Sequence, residues 1–120
     1  NILRISAVSK QYQTNDALEI SVFFDQDISV GNISALELKV TMNSGVILTV
    51  PGVSQPSPKV IKFQTTLQVA DIADRVIYAD PNSLQGSSTI TGPSGNGLSK
   101  TLPVPGSPGS LQTTSTIVIN

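Results

Sequence analysis

The chain of 120 residues contains no cysteine, no histidine and no tryptophan, and its only aromatic residues are three phenylalanines and two tyrosines. Without a thiol or an imidazole, it cannot build a disulfide framework, a zinc finger, a haem site, a cysteine nucleophile or a Ser-His-Asp triad. Most familiar catalytic sites are therefore excluded, and we expect that the protein is not an enzyme.

Positive charge is also scarce, because seven Lys and Arg residues stand against eight Asp and Glu residues in a chain of net charge −1. Seven positively charged side chains are too few to form the clustered surface that binds a phosphate backbone. Nucleic acid is therefore not an expected partner. No apolar run approaches the roughly 18 residues of a membrane-spanning helix, and we expect no membrane span in this segment.

The chain length limits the number of domains. A chain of this size buries about two thirds of its unfolded surface, which suffices for one hydrophobic core. From Asn1 the sequence passes directly into an alternating pattern, without the charged start and apolar stretch of a signal peptide. We therefore expect residues 1–120 to form a single domain that is excised from a longer protein.

The residues that are present favour strands over helices. Ile and Val together outnumber Leu by more than two to one, and Ser and Thr are abundant. From Ala17 to Phe24 apolar and polar residues alternate, a period of two that places one side of a strand in a core. The segment Ala35–Met42 repeats this pattern, and the turn signal Asn43–Gly45 after it predicts a hairpin with Val46–Val50.

Five further segments are predicted as strands: Ile2–Val8, with Leu3 and Ile5 on its inner side, and Val60–Leu67, Val76–Ala79, Ser87–Thr91 and Thr114–Ile119. Turns are predicted at 68–74, 80–82, 92–97 and 105–109. Pro51–Pro58 is predicted as a loop, because its prolines cannot donate to a strand ladder. Short strands without a convincing amphipathic helix predict an all-β antiparallel sandwich, and a barrel, which alternates in the same way, is the alternative.

Carboxylates are the only side chains here that suit a metal, and calcium is the cation that prefers oxygen ligands. The segment from Asp25 begins like an EF-hand loop but lacks the Gly and the Glu that such a loop needs. Asp16, Asp71 and Asp74 lie at predicted strand ends, which gather at the poles of a sandwich, and are the candidate calcium ligands. The alternative is that each carboxylate accepts backbone N–H bonds in its own turn.

Aromatic platforms for sugar binding are few, because only Tyr12, Phe23 and Tyr78 are candidates for partial exposure. Phe23 points to the opposite side from Phe24 in an alternating strand, so it needs a cover. We expect an overlying loop to provide that cover, and a ligand or partner protein is the alternative.

The segments, taken in order, are similar to a known family of repeats. That family has a short loop ending in Gly-Asp, a strand Ile-x-Val-x-Phe followed by an acidic residue, and then a Leu-x-Leu strand ending in Asn-x-Gly. These segments are matched here by Asp16, Ile20, Val22, Phe24, Asp25, Leu36, Leu38, Asn43 and Gly45. An alternating strand and an Ala-Asp corner follow, matched by Ile61, Phe63, Thr65, Leu67, Ala70, Asp71, Ala73 and Asp74. The family closes with a Gly-Asn loop, a Leu-Pro-x-Pro-Gly segment and an Ile-Val-Ile strand, matched by Thr89, Ile90, Gly95, Asn96, Leu102, Pro103, Pro105, Gly106, Ile117, Val118 and Ile119.

On these residues the chain resembles the immunoglobulin-like, cadherin-like tandem repeats of large secreted bacterial adhesins and surface proteins. The resemblance implies an Ig-like Greek-key β-sandwich of about seven to nine strands, extracellular or at the cell surface, whose partners are the neighbouring domains of the same chain. In such repeats acidic residues near the domain junction help to hold calcium, and Asp16, Asp71 and Asp74 match these positions. Gly92 and Asn120 stand where the family often has Asp, which lowers the negative charge offered to calcium.

The expected function is that of a non-catalytic structural or adhesive module, a spacer repeated in tandem along a multi-domain surface protein. The alternative is a carbohydrate- or protein-binding accessory domain attached to a secreted enzyme or receptor. It predicts an exposed apolar or aromatic patch, near Phe23 or in the segment Pro51–Pro58, with a surface glycan or protein as the partner.

Overall fold

The alternating segments of the sequence form β-strands in the structure, a computed structural model. It describes residues 2–7, 9–13, 15–42, 47–67, 76–77, 84–86, 90–95, 97, 101–103, 107–114 and 117–119. The strands are β1 (Ile2–Ala7), β2 (Lys10–Tyr12), β3 (Ala17–Phe24), β4 (Ser29–Val30), β5 (Leu36–Met42), β6 (Ile47–Ser57), β7 (Val60–Thr66), β8 (Val76–Ile77), β9 (Leu84–Gly86), β10 (Ile90–Thr91) and β11 (Ile117–Ile119). A 3₁₀ turn (Ile33–Ala35) and the four-residue helix α1 (Leu111–Thr114) are the helical elements of the described residues.

Six strands form one antiparallel ladder in the order β1-β3-β7-β6-β5-β8, and β9 also pairs with β5. Two small sheets and an isolated antiparallel bridge between Thr91 and Gly97 complete the described pairings. In one of them β10 pairs with β4 in antiparallel fashion, and in the other β11 pairs with β2 in parallel. The predicted all-β, antiparallel class is therefore confirmed, with β2 and β11 as the parallel exception.

The ladder curls, so that both of its halves face one core. Strands β3 and β5 are separated by β7 and β6 in the ladder. Their inward side chains are nevertheless buried in a single cluster that includes Leu18, Ile20, Val22, Phe24, Leu36, Leu38 and Val40. A flat sheet cannot bring the side chains of two such distant strands together, so the main sheet has the form of a half-barrel rather than two clearly separate layers.

Strand β6 contradicts the predicted loop at Pro51–Pro58, because all but the last residue of that segment belong to the strand. Its first half pairs with β5 and ends at Pro51 opposite Glu37. Its second half pairs with β7 and begins at Gly52 opposite Phe63. The strand therefore joins the two halves of the curled sheet.

The prolines of β6 are tolerated because of where they fall. Pro51 lies at the change of partner strand, and Pro56 lies within an irregular stretch of pairing between Ser54 and Ser57. Neither proline interrupts a regular ladder that is bonded on both sides, so the missing N–H groups cost little. The turn that joins β6 to β7 lies at Pro58–Lys59.

The other strand predictions differ from the structure mainly at their ends. Leu3, predicted to point inward, is 59% exposed, because a register shift between Ile2 and Arg4 turns it out of the regular alternation. Thr114, predicted to begin the last strand, instead ends α1, where its N–H donates to the Ser110 carbonyl oxygen at 2.9 Å. The predicted turns at 43–45, 68–74 and 80–82 lie outside the described residues.

The outer edge of β1 is covered by the segment 107–114. The Ile5 N–H donates to the Gly109 carbonyl oxygen at 3.0 Å, and Thr114 Oγ1 donates to the Ile5 carbonyl oxygen at 2.6 Å. A Cβ atom at Gly109 would lie 2.4 Å from the Leu3 carbonyl oxygen, so this close approach requires glycine. The cover satisfies edge groups that would otherwise pair with another chain.

The pairing registers place the two ends of the described chain at opposite ends of the sheet. Ile2 lies opposite Phe24, and β1 runs from there along β3 in the antiparallel direction. Ile119 lies opposite Tyr12, the last residue of β2, and the turn after Tyr12 hydrogen-bonds to Leu67 beyond the end of β7. We call these two regions the Phe24 end and the Tyr12 end.

The dimensions of the molecule are 44 × 26 × 21 Å. Its described helical elements are a single turn each, and within the part of the chain that the structure describes no helix is long and apolar enough to span a membrane.

Candidate functional site

Asp16 closes the tight turn that leads from β2 into β3. Its backbone N–H donates to the Gln13 carbonyl oxygen at 3.1 Å, and its Oδ2 accepts the Gln13 N–H at 2.9 Å. Asn15, the residue before it, has a φ of 76°, in the left-handed region that Asn tolerates better than most residues. One oxygen of the Asp16 carboxylate is therefore engaged in its own turn.

The calcium site stays a prediction. Asp71 and Asp74, the two other candidate ligands, lie outside the described residues. In the ranges that the structure does describe, no three acidic side chains are grouped so that they could hold a metal ion. Asp16 lies at the Tyr12 end, directly before the start of β3.

Tyr12 is buried rather than partly exposed, with 2% of its surface accessible. Burial raises the pKa of its phenol above the ordinary value, and the nearby carboxylates of Glu19 and Asp16 raise the pKa further. The phenol therefore stays neutral beside a locally negative surface. This burial removes Tyr12 from the candidates for a sugar-binding platform.

Phe23 points outward from β3, as predicted, and in the part of the chain that the structure describes an arginine covers it. Arg4 lies opposite Phe23 on the neighbouring strand β1, and its guanidinium carbon is 4.2 Å from the centre of the phenyl ring. The cation is attracted to the face of the ring, and its planar group shields part of the ring from water. The half-buried Phe23 ring is therefore partly covered by a residue of its own chain.

Two polar pairs lie on the same outward surface of β1, β3 and β7. Lys62 Nζ lies 3.3 Å from Glu19 Oε1, and both side chains are partly exposed. Ser6 and Ser21 lie opposite each other beside them. A mixed surface of this kind carries no concentrated charge of either sign, which argues against a strongly charged ligand on this side of the sheet.

A second candidate surface is the outer side of β6. Residues at alternate positions of this strand are exposed, and Ile47 and Val53 have 64% and 50% of their surfaces accessible. Lys39 on the neighbouring β5 lies between two polar partners, 3.2 Å from Glu37 Oε2 and 2.7 Å from Thr49 Oγ1. The surface thus combines exposed apolar side chains with a neutral polar flank.

Comparison with known proteins gives no match: no family model, no curated protein and no solved structure matches this chain. The function therefore has to be inferred from the residues and the geometry.

Arg4 and Thr114 are two residues whose roles the sequence does not indicate. Arg4 is an isolated cation in an alternating strand, and its partner becomes evident only from the register of β1 on β3. Thr114 acts on Ile5, more than a hundred positions earlier in the chain. Neither contact has a local sequence signal.

Proposed function

We propose that the chain is a non-catalytic structural or adhesive module, a spacer of a kind repeated in tandem along a secreted or cell-surface bacterial protein. The position of its ends is the observation that carries this proposal. Ile2 lies at the Phe24 end and Ile119 at the Tyr12 end, so copies joined through their own ends would extend in one direction. A module whose ends lay side by side would instead fold the array back on itself.

The proposal includes the finer architecture that the family resemblance implies, an Ig-like Greek-key sandwich. Two observations support it. Strand β6 changes partner from β5 to β7 near its middle, as a strand does when it passes from one layer to another. Strand β11 returns to the start of the chain and pairs with β2. In this arrangement β1, β3, β7 and the second half of β6 form one layer, opposite β5, β8 and β9.

The absence of catalysis in this proposal rests on chemistry. The chain has no imidazole and no thiol, so acid–base catalysis would have to use carboxylates, lysines or tyrosines. One carboxylate oxygen of Asp16 accepts a hydrogen bond within its own turn, and Glu19 and Glu37 each lie close to a lysine. These three carboxylates therefore take part in structural contacts.

Head-to-tail fusions test the proposal. Proteins of one, two and three copies, joined without an added linker, would be compared by small-angle X-ray scattering. We expect the maximum dimension to grow with each copy by about 33 Å, because ten extended residues separate Ile2 from Tyr12 and β11 ends beside Tyr12. Growth by less than half of that span would mean that the copies fold back on one another, which contradicts a spacer.

A ligand-binding accessory domain is the second candidate function, and exposed Ile47 and Val53 on β6 are the observation that favours it. Apolar side chains on one strand are a common feature of protein-binding surfaces. A glycan array and a partner pull-down with the parent chain and an Ile47→Ser, Val53→Ser variant test this function. Binding that the double substitution abolishes would support it, and an absence of binding by the parent would exclude it.

A further inference from the structure

We propose that Asn32 is the attachment site of an N-linked glycan, on the side of the molecule midway between its two ends. The inference goes beyond the proposed function and rests on it in one respect, because a secreted chain passes enzymes that transfer sugars to asparagine. The acceptor chemistry belongs to the residues themselves and can be measured on the isolated chain.

The sequence contains one acceptor motif for N-glycosylation. Such a motif is an Asn followed by any residue except Pro and then by Ser or Thr. The chain has seven asparagines, and only Asn32, which is followed by Ile33 and Ser34, fulfils this condition. A transferred glycan would therefore have a single position in the chain.

The motif lies at the surface, between β4 and β5. Asn32 and Ser34 are exposed, whereas Ile33 between them is half-buried and packs against the core. Asn32 has an extended backbone, with a φ of −147° and a ψ of 100°, and the 3₁₀ turn of Ile33–Ala35 follows it. The packed Ile33 side chain therefore holds the turn in place, with the amide and the hydroxyl of the motif on its outer side.

The amide and the hydroxyl of the motif are also in contact with each other. The Ser34 hydroxyl donates to Asn32 Oδ1 at 2.7 Å. An Asn before a helical turn usually caps that turn by accepting a backbone N–H, but Asn32 makes no such capping bond in this fully described turn. A role as a helix cap therefore does not account for Asn32, whose amide is bonded instead to the hydroxyl that defines the motif.

The position of the motif on the sheet leaves both ends of the molecule clear. The Ile33 carbonyl oxygen lies so close to Gly52 that a Cβ atom there would collide with it. Gly52 lies opposite Phe63 in β7, and Phe63 lies opposite Ile20, near the middle of β3. The motif is therefore level with the middle of the main sheet. A glycan attached to it would project sideways from an array of copies and leave the junctions between them free.

The donor that this chemistry requires is a sugar activated as a diphosphate ester at its anomeric carbon. In the transfer, Asn32 Nδ2 forms a bond to the anomeric carbon, and the bond from that carbon to the diphosphate oxygen breaks. The diphosphate leaves with the electron pair, and Nδ2 releases one proton to a base of the transferase. The diphosphate of the donor carries either a nucleoside or a lipid, and experiment can distinguish these two sources.

Two transferase reactions test the site and separate the two donors. In the first, the purified folded chain is incubated with a soluble N-glycosyltransferase and a nucleoside diphosphate hexose. In the second, the chain, fused to a signal peptide, is translated into microsomes, which supply a membrane transferase and a lipid diphosphate oligosaccharide. We expect intact-mass spectrometry to show one added glycan per chain in at least one reaction, and peptide mapping to place that glycan on Asn32.

Three variants locate the acceptor within the chain. Asn32→Gln removes the acceptor and Ser34→Ala removes the hydroxyl, so both should lose the added mass. Ser34→Thr keeps the hydroxyl and is the matched control, which should be modified at least as fully as the parent. Because both positions are exposed, all three variants should melt close to the parent.

A parent that stays unmodified in both reactions would overturn the inference, and so would a Ser34→Ala protein that is modified as fully as the parent. Thermal unfolding tests the placement of the glycan. The glycosylated chain should melt at or above the temperature of the unmodified chain, and a lower melting temperature would contradict an exposed attachment point. None of these results bears on whether fused copies form an extended array, so failure of this site and failure of the spacer proposal are distinguishable.

Discussion

Arg4 and Phe23 form a cross-strand pair in which the guanidinium carbon lies 4.2 Å from the centre of the phenyl ring. Phe23 points outward from β3, and the guanidinium of Arg4 lies over its ring. A side chain that alternation alone would leave exposed is thereby shielded by a charged group.

Removing this cover should destabilise the fold modestly. Arg4→Gln is expected to lower the free energy of unfolding by about 0.5–1 kcal/mol, the usual worth of an exposed cation–π contact. Lys59→Gln changes the net charge equally at an exposed position of the β6–β7 turn and is expected to have little effect. Urea denaturation of both variants measures the difference, and equal losses would show that charge rather than stacking is responsible.

The close approach of Gly109 to β1 predicts a larger effect. Gly109→Ala would place a methyl group 2.4 Å from the Leu3 carbonyl oxygen, so the segment 107–114 has to move away from the strand edge. We expect a loss of about 1–3 kcal/mol in thermal unfolding experiments, as for other overpacked sites. Gly97→Ala is the matched control, because no atom lies within 4 Å of a Cβ at that position. A Gly109→Ala protein as stable as the Gly97→Ala protein would refute the packing of this segment on β1.

The buried phenol of Tyr12 predicts a dependence on alkaline pH. Its folded-state pKa is raised above the ordinary value of 10.0, so above that pH the unfolded chain releases the proton first. The stabilisation that comes from keeping the phenol neutral is complete below pH 10 and is lost as the pH rises towards the folded-state pKa. The parent chain should therefore lose its stability advantage over Tyr12→Phe in this range, as measured by denaturant titrations between pH 8 and pH 11. A constant difference over the whole range would contradict the assigned burial.

Substitutions of Asp16 distinguish its role in the turn from a role as a calcium ligand. In chelator, Asp16→Ala should cost about 1 kcal/mol, because the Gln13 N–H loses its acceptor, while Asp16→Asn keeps an acceptor oxygen and should cost less. If the calcium prediction holds, saturating calcium at 100 times its dissociation constant stabilises the parent by about 2.7 kcal/mol. Asp16→Asn should not show that gain, because it has lost the charge. Equal melting of the parent in calcium and in chelator would exclude a site within one copy of the chain.

The two strands with the clearest alternation can be predicted from the local sequence pattern alone. Strands β3 and β5 are predictable because their apolar residues recur at every second position, from Leu18 to Phe24 and from Leu36 to Val40, and all of these side chains are buried. Strand β6 is mispredicted because the cost of a proline depends on its neighbours in the sheet. Pro51 and Pro56 fall where the pairing is already irregular, and that information is not local to the sequence.

The candidate sites are less predictable than the strands, since they depend on register. Alternation indicates that Phe23 points outward, but the bulge near Leu3, which brings Arg4 opposite Phe23, has no sequence signal. The parallel pairing of β2 with β11 joins segments about a hundred residues apart, and a three-residue strand such as Lys10–Tyr12 is too short for its periodicity to be recognised.

The distance between the two ends of one copy tests the spacer account most directly. Spin labels on Leu3→Cys, at an exposed position of β1, and on a cysteine added after Asn120 would report this distance by pulsed electron paramagnetic resonance. The account predicts a narrow distribution with a mean of about 30–35 Å, because nine extended residues separate Leu3 from Tyr12 and β11 ends beside Tyr12. A mean below about 15 Å would place both ends on the same side and contradict the account.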